Sequence, residues 1–296
     1  NDIYKNKKVL ITGHTGFKGS YLALWLKKLD ANVFGISLPP QDDINHWKLI
    51  NIDMDSHYFD IRDKDKLSTT IREIKPDIIF HLAAQALVIT SYSDPIDTWH
   101  SNLIGTVNVL ESSRDVDGLK AVVCITTDKC YKNIDKLDGY SENDALGGYD
   151  PYSASKAACE IAISSWRNSF CGNKNGHLNS LHIATARSGN VIGGGDWAEN
   201  RIVPDAVKAL MNNEVILVRN PASERPWQHV LEPLHGYMLL AQKIYQDNNS
   251  FFQNDLNKSF NFGPISSSNK NVSSLVEEIL KHWNGDWIKD LDLNSP

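Results

Sequence analysis

Lys8-Val9-Leu10-Ile11-Thr12-Gly13-His14-Thr15-Gly16-Phe17-Lys18-Gly19-Ser20 is the stretch that decides the fold. An apolar run of strand length, Lys8–Thr12, passes into glycines at intervals of three, and Gly16–Leu29 follows with helical spacing, its buried face expected to be Phe17, Leu22, Leu24, Trp25 and Leu29. A strand, a glycine turn and a helix in that order meet a specific physical need. One glycine makes a tight turn, absence of Cβ lets a pyrophosphate approach the backbone, another glycine permits close helix–strand contact, and the helix N-terminus offers N–H donors. The same alternation continues outward. Asn32–Ser37, Asp77–Ala84 and Ala121–Thr126 read as strands, and Pro95–Ser113 and Tyr152 to about Arg167 as helices. This is the βαβα rhythm of an α/β fold, a Rossmann-type doubly wound parallel sheet. Pro39-Pro40 ends regular structure, and Gln41–His57 reads as a long polar connection.

Beyond Leu181 the rhythm loosens. Leu181–Ile192 is strand-like, Gly193-Gly194-Gly195 follows, and short pieces are punctuated by Pro204, Pro221, Pro226 and Pro264. The expected division is residues 1–185 as a dinucleotide-binding domain that also receives about 228–258, and residues 186–296 as a smaller C-terminal substrate-binding lobe. Gly172–Ser180 and Gln246–Ser259, rich in Asn, Ser and Lys, read as surface loops.

Composition bounds the function classes. The 296 residues carry 36 Asp+Glu against 30 Lys+Arg, a net charge of −6, which gives no electrostatic reason to expect a nucleic-acid partner. Hydrophobic residues make up 41%, enough for a sizeable core at about two domains of roughly 150 residues each. Apolar runs such as Ala121–Ile125 fall far short of the roughly 20 residues that cross a bilayer, and Asn1-Asp2-Ile3-Tyr4-Lys5 has no signal-peptide core. A soluble, cytoplasmic protein with no membrane partner is expected. Cys124, Cys130, Cys159 and Cys171 form no CxxC pair and have no His at zinc-finger spacing, so they read as free thiols and no metal site is expected.

The glycine loop implies a dinucleotide. No carboxylate ends the second strand at Ser37-Leu38-Pro39-Pro40 to hold a 2′-hydroxyl; the absence of an arginine there for a 2′-phosphate is what favours NAD over NADP. Asp60-Ile61 sits where a side chain could meet an adenine amino group, or could simply be an acid at a helix start. Leu82-Ala83-Ala84-Gln85 ends a strand in small residues that admit a flat cofactor. Tyr152 and Lys156 lie at i, i+4 on a helix that Pro151 is suited to begin. A phenol titrates near ~10 unaided, and a neighbouring ammonium favours phenolate, making Tyr152 a usable base. Thr126-Thr127-Asp128-Lys129 ends a strand at the sheet's carboxyl edge, where a hydroxyl, a carboxyl and an amine can orient a ligand, donate a proton and abstract one. A Thr-Asp turn followed by an exposed lysine is the plain alternative.

These residues together resemble the extended short-chain dehydrogenase/reductase family, and within it the branch of sugar-nucleotide 4,6-dehydratases that act on CDP-glucose. The similarity covers nearly the whole chain. It rests on the glycine loop, His81–Gln85, Asn102 with Gly105-Thr106, Thr127–Tyr131, Asp150–Lys156, Arg187–Trp197 and Arg225-Pro226-Trp227-Gln228-His229-Val230. The last two segments and the Thr-Asp-Lys triplet point to the CDP-sugar branch.

The resemblance implies a tightly held NAD that is reduced and reoxidised within one turnover. It implies cofactor contacts from Gly13, Thr15, Gly16, Phe17, Lys18, Gly19, Asp60, Ile61, Leu82, Ala83, Ala84, Gln85, Asn102, Tyr152 and Lys156. Tyr152, positioned by Lys156 and Thr127, would take the proton of the sugar 4-OH. Lys129 would then be the base at C5 and Asp128 the acid that protonates the departing 6-OH, leaving CDP-4-keto-6-deoxyglucose for deoxysugar and surface-polysaccharide (O-antigen) synthesis. These roles require a partly neutral Lys129 and a protonated Asp128, through burial or through coupling of the two. Asn190, Arg201, Arg219, Arg225 and Asn261 would contact the CDP-sugar. Pairing through Pro95–Ser113 and Tyr152–Arg167 as a four-helix bundle implies a homodimer. The family usually continues beyond the end of this sequence, and the chain lacks an initiator Met and stops at Asn294-Ser295-Pro296, so it is expected to be part of a longer protein. A 4-epimerase or reductase on the same scaffold, which needs Tyr152 and Lys156 but no acid/base pair at 128 and 129, and a non-catalytic nucleotide sensor are the alternatives.

Overall fold

A computed structural model of the chain describes residues 2–40, 44–136, 138–174, 177–179, 181–246, 258–265 and 268–290. Seven parallel strands form the central sheet: β1 (Lys8–Thr12), β2 (Asn32–Ser37), β3 (Asp55–Tyr58), β4 (Ile78–His81), β5 (Ala121–Ile125), β6 (His182–Ser188) and β7 (Ser259–Phe262). Their spatial order is β7-β6-β5-β4-β1-β2-β3, so the order reverses at β1 and β4. All residues of β4, β5 and β6 are buried, as expected of a parallel sheet covered on both faces. The register sets Ile11 beside Gly35 and Phe80, and His81 beside Cys124. β1, β4 and β5 therefore deliver Gly13, Leu82 and Thr126 to one carboxyl edge, the ligand-binding edge of open α/β sheets.

The chain divides into two compact units, Asn1–Ser188 with Leu231–Phe262, and Gly189–Val230 with Gly263–Pro296. The first contains the sheet and its helices. The second has its own core of Ala206, Leu210, Ile216, Val218 and Val276, with helices Ile202–Met211 and Val272–Leu280. Three strand pairs accompany it: Ile216–Val218 with Trp287–Lys289, Glu224–Pro226 with Asn269–Asn271, and Val191–Ile192 with Gln228–His229.

Several elements differ from the sequence expectation. The first helix, α1 (Phe17–Lys28), buries Gly19, Leu22, Ala23 and Leu26, an i, i+3, i+4, i+7 stripe, while Phe17, Leu24, Trp25 and Leu29 are only half-buried. Gln41–His57 is not wholly irregular, since it includes a short helix at His46–Ile50 and most of β3. The helix expected at Pro95–Ser113 is α-helical at Pro95–Trp99, widens to a π-turn at His100–Ile104 and resumes at Gly105–Ser113. Within the expected loop 172–180, Gly172–Lys174 pairs antiparallel with His177–Asn179. The expected loop Gln246–Ser259 lies mostly outside the described residues. The four cysteines are buried free thiols. Among the described residues no helix is long and apolar enough to cross a membrane, and no cluster of three or more His, Cys, Asp or Glu could hold a metal.

Candidate active site

The glycine loop is built as its spacing predicts. Gly13 has φ +80°, and a Cβ there would lie 2.7 Å from the Ala83 nitrogen, so the turn and its approach to the β4 end both exclude a side chain. A Cβ on Gly19 would collide with the Gly13 carbonyl, whereas one on Gly16 would lie 3.4 Å from it. Gly16 caps α1 with extended backbone and is exposed. The loop is thus a cradle floored by backbone, with the N-terminus of α1 opening onto it, and it fits a pyrophosphate. At the β2 end, Thr15 Oγ1 pairs with Ser37 Oγ at 2.7 Å and donates to the Leu38 carbonyl at 3.0 Å. Hydroxyls thus occupy the edge where related folds place an acid.

The other cofactor candidates lie in the same unit as this loop. The Leu82 N–H donates to the Thr12 carbonyl and the Ala83 N–H to Thr12 Oγ1, fixing the small-residue segment beside β1. The Gln85 N–H donates to Asn102 Oδ1 at 2.8 Å, and Asn102 Nδ2 donates to the Gln85 carbonyl and to Ser155 Oγ. Asn102 sits in the π-turn and is fully buried. Lys18 Nζ donates to Ser188 Oγ at 2.6 Å and reaches Tyr237 Oη at 3.4 Å. Asp60 is not at the start of a helix; Asp63 caps Lys64–Ile74, and Asp60 accepts from Arg62 N, Nε and Nη2. Partial burial works against the Asp60 carboxylate, but these bonds outweigh it and hold the group below the usual carboxylate range. Ile61 is buried against Gly105, where a Cβ would strike its side chain.

Tyr152 and Lys156 project from the helix Pro151–Phe170, which starts on Asp150 as N-cap with Pro151 in the first turn. Asp150 accepts from the Ser153 N–H at 2.9 Å and the Ser153 hydroxyl at 2.6 Å. Tyr152 is 8% and Lys156 5% exposed. Burial pushes the Lys156 ammonium below its ordinary value, and the neighbouring Cys159, Cys124 and Glu160 act in the opposite sense. His81, pushed down to about 3 by burial and then by the Lys156 charge, stays neutral between Thr12 and Thr106 hydroxyls.

Thr127 follows β5 and caps a single 3₁₀ turn, Asp128–Cys130, which packs against the Tyr152 helix. Thr127 Oγ1 donates to Asp128 Oδ1 at 3.1 Å and accepts from the Lys129 N–H at 3.3 Å. Asp128 is half-buried and Lys129 exposed. The first unit thus brings a phenol, an ammonium, a hydroxyl, a carboxyl and an amine to the sheet edge that carries the glycine cradle.

The substrate candidates are distributed differently. Asn261 lies in the first unit, where its Oδ1 accepts from Tyr131 Oη at 2.6 Å and its Nδ2 donates to the Tyr140 carbonyl at 2.9 Å. Its amide serves the interior of that unit. Asn190, Arg201, Arg219 and Arg225 lie in the second unit. There Arg201 pairs with the buried Asp196 at 2.9 Å, Arg219 Nη2 reaches the Asn200 carbonyl at 3.5 Å, and the exposed Arg225 donates to the Glu224 carbonyl. Sequence reasoning assigned no role to Glu160, Arg187 or Tyr131, although Tyr152, Lys156 and Glu160 at i, i+4, i+8 lie along one helix face and could have signalled the first of them.

The model of the GDP-mannose 4,6-dehydratase family matches residues 10–281. The chain belongs to this family of extended short-chain dehydrogenases/reductases. Its relatives include the CDP-glucose 4,6-dehydratase of Salmonella typhimurium, 45% identical over 293 residues, which are 98% of this chain and 80% of that protein. Among solved structures, an epimerase from Methanothermobacter thermautotrophicus superposes with a TM-score of 0.80 at 23% identity, covering 98% of this chain and 81% of that one. The dTDP-glucose 4,6-dehydratase of Streptomyces venezuelae, solved with NAD bound, gives a TM-score of 0.77 at 21% identity, covering 96% of this chain and 84% of that one.

Proposed function

We propose that this chain is an NAD-dependent enzyme that converts CDP-glucose to CDP-4-keto-6-deoxyglucose. The observation that carries the reading is the pairing of two constellations on one sheet edge: Tyr152 with Lys156, and Thr127 with Asp128 and Lys129. An epimerase or reductase needs only the first. The 45% identity to a CDP-glucose 4,6-dehydratase over nearly the full chain supports the same choice and is the ground for naming CDP as the nucleotide.

Gly13, Gly16 and Gly19 would form the backbone cradle for the cofactor pyrophosphate, and Thr15, Ser37 and Leu82–Gln85 would hold the rest of the dinucleotide. Bound NAD supplies a hydride acceptor at the start of the turnover and a hydride donor at its end. Tyr152 takes the proton of the sugar 4-OH, and Lys156, whose burial costs its ammonium stability, holds the charge that favours the phenolate. Thr127 orients the hydroxyl. Once C4 is a ketone the C5 proton is acidic; Lys129 removes it and Asp128 delivers a proton to the departing 6-OH. Arg201, Arg219, Arg225 and Asn190 serve the substrate diphosphate and nucleoside, each a donor suited to anions. The surroundings are cytoplasmic, and the assembly is a homodimer. Exposed Ile96, Trp99, Ile104 and Ile161 on the two helical segments 95–113 and 151–170 support that pairing as a four-helix bundle.

The test is incubation with CDP-glucose followed by mass analysis of the product. Loss of one water is the expected result. Unchanged mass with inverted configuration at C4 would assign the scaffold to epimerisation.

A further inference from the structure

Behind the catalytic residues lies a buried ion pair whose bonds reach both ends of the acid/base segment. Glu160 and Arg187 side chains are 1% and 4% exposed and meet at 2.7 Å. Glu160 Oε1 accepts from Thr126 Oγ1, and Oε2 accepts from Thr185 Oγ1 at 2.9 Å and Ser259 Oγ at 3.0 Å. Burial alone would raise the Glu160 carboxyl, but Arg187 and the hydroxyl donors outweigh it and keep it ionised. Arg187 Nη1 donates to Tyr131 Oη at 2.7 Å, and Tyr131 Oη donates to Asn261 Oδ1.

The pair therefore holds residue 126 through Glu160 and residue 131 through Arg187, and these two residues bracket Thr127, Asp128 and Lys129. The bracketed segment is one 3₁₀ turn, held within itself by the Thr127 cap and by packing of Cys130 and Tyr131 against Ala157, and at its two ends by the ion pair. Tyr152 and Lys156, in contrast, are carried by the twenty-residue helix from which Glu160 also projects, at i, i+4 and i+8.

We propose that Glu160 and Arg187 are positioning residues that set the Asp128/Lys129 turn against the Tyr152 helix, through Thr126 on one side and Tyr131 on the other. The inference rests on the dehydratase reading for its chemistry: a misplaced turn slows elimination, while proton transfer from the sugar 4-OH to Tyr152 persists. A buried polar network that merely satisfies its own hydrogen bonds would not separate the two steps.

Truncating either charge leaves its partner buried and unpaired, with a risk of unfolding. The informative variant is therefore Tyr131→Phe, which removes one hydroxyl and leaves the ion pair intact, and Thr126→Val is the second. With CDP-glucose in single turnover, each should form NADH at close to the wild-type rate, eliminate water on the order of ten- to a hundredfold more slowly, and keep KM within about twofold. In parallel, hydrogen exchange of the 127–130 amides should quicken while the 151–170 helix keeps its protection. Equal loss of both chemical steps, or no loss in either variant, would overturn the inference, as would unchanged exchange at 127–130. If the wild-type chain does not dehydrate CDP-glucose, the dehydratase reading falls, and the exchange measurement by itself decides the positioning role.

Discussion

Tyr152 and Lys129 divide the proposed chemistry between them, and each can be removed at small cost in volume. Tyr152→Phe deletes the proton acceptor for the 4-OH, so kcat should fall by about a hundredfold or more while CDP-sugar binding by calorimetry stays near wild type. Lys129→Met keeps the stem and removes the amine. NADH should form and persist on mixing with CDP-glucose while water loss stops; elimination at the wild-type rate would show that another group is the C5 base. Both residues stood out as candidates in the sequence because the chemistry proposed for them restricts residue type. Glu160 and Arg187 did not, since a buried carboxylate and guanidinium 27 positions apart declare their pairing only after β6 and the Tyr152 helix have been packed together. Asn261, which the resemblance implies as a substrate contact, has its amide engaged with Tyr131 and Tyr140.

The elements that position the site were read from periodicity and punctuation. β1 and β2 were legible to the residue because Gly13, and then Pro39-Pro40 shortly after Ser37, end the apolar runs. β3 was not, because Asp55-Ser56-His57-Tyr58 is an edge strand with no fully buried residue and no hydrophobic alternation to reveal it. The π-turn at His100–Ile104 was equally silent; its role, bringing Asn102 to Gln85 and Ser155, depends on contacts distant in sequence. α1 shows how a stripe can be misassigned by one position, since Gly19 and Ala23 give its close-packed face while the larger Leu24 and Trp25 flank it. Gly19→Ala tests that packing. A methyl there meets backbone, which cannot swing aside, so NAD affinity should fall at least about tenfold and the melting temperature should drop by several degrees. Retained affinity in a fluorescence titration would mean that the loop tolerates a wider turn than this structure shows.

At the scale of the whole molecule the chain leaves the first unit at Ser188, re-enters it at Leu231 and leaves again at Phe262. The second unit is thus assembled from two separate segments. A net charge of −6 is compatible with the proposed anionic substrate, since the reading needs cations only locally, the role proposed for Arg201, Arg219 and Arg225. The proposed homodimer depends on apolar side chains facing outward from two helices, so Ile161→Glu, at a position 62% exposed, should shift sedimentation from dimer to monomer without loss of helical signal. An unchanged sedimentation coefficient would place the interface elsewhere. The central claim is that this chain removes water across C5 and C6 of a CDP-hexose by an internal oxidation and reduction. Its most direct test is turnover of CDP-glucose in deuterated water with product analysis by mass and NMR. The account predicts a 4-keto-6-deoxy product lighter by one water, with solvent deuterium at C5; a product of unchanged mass, or one without deuterium at C5, would contradict it.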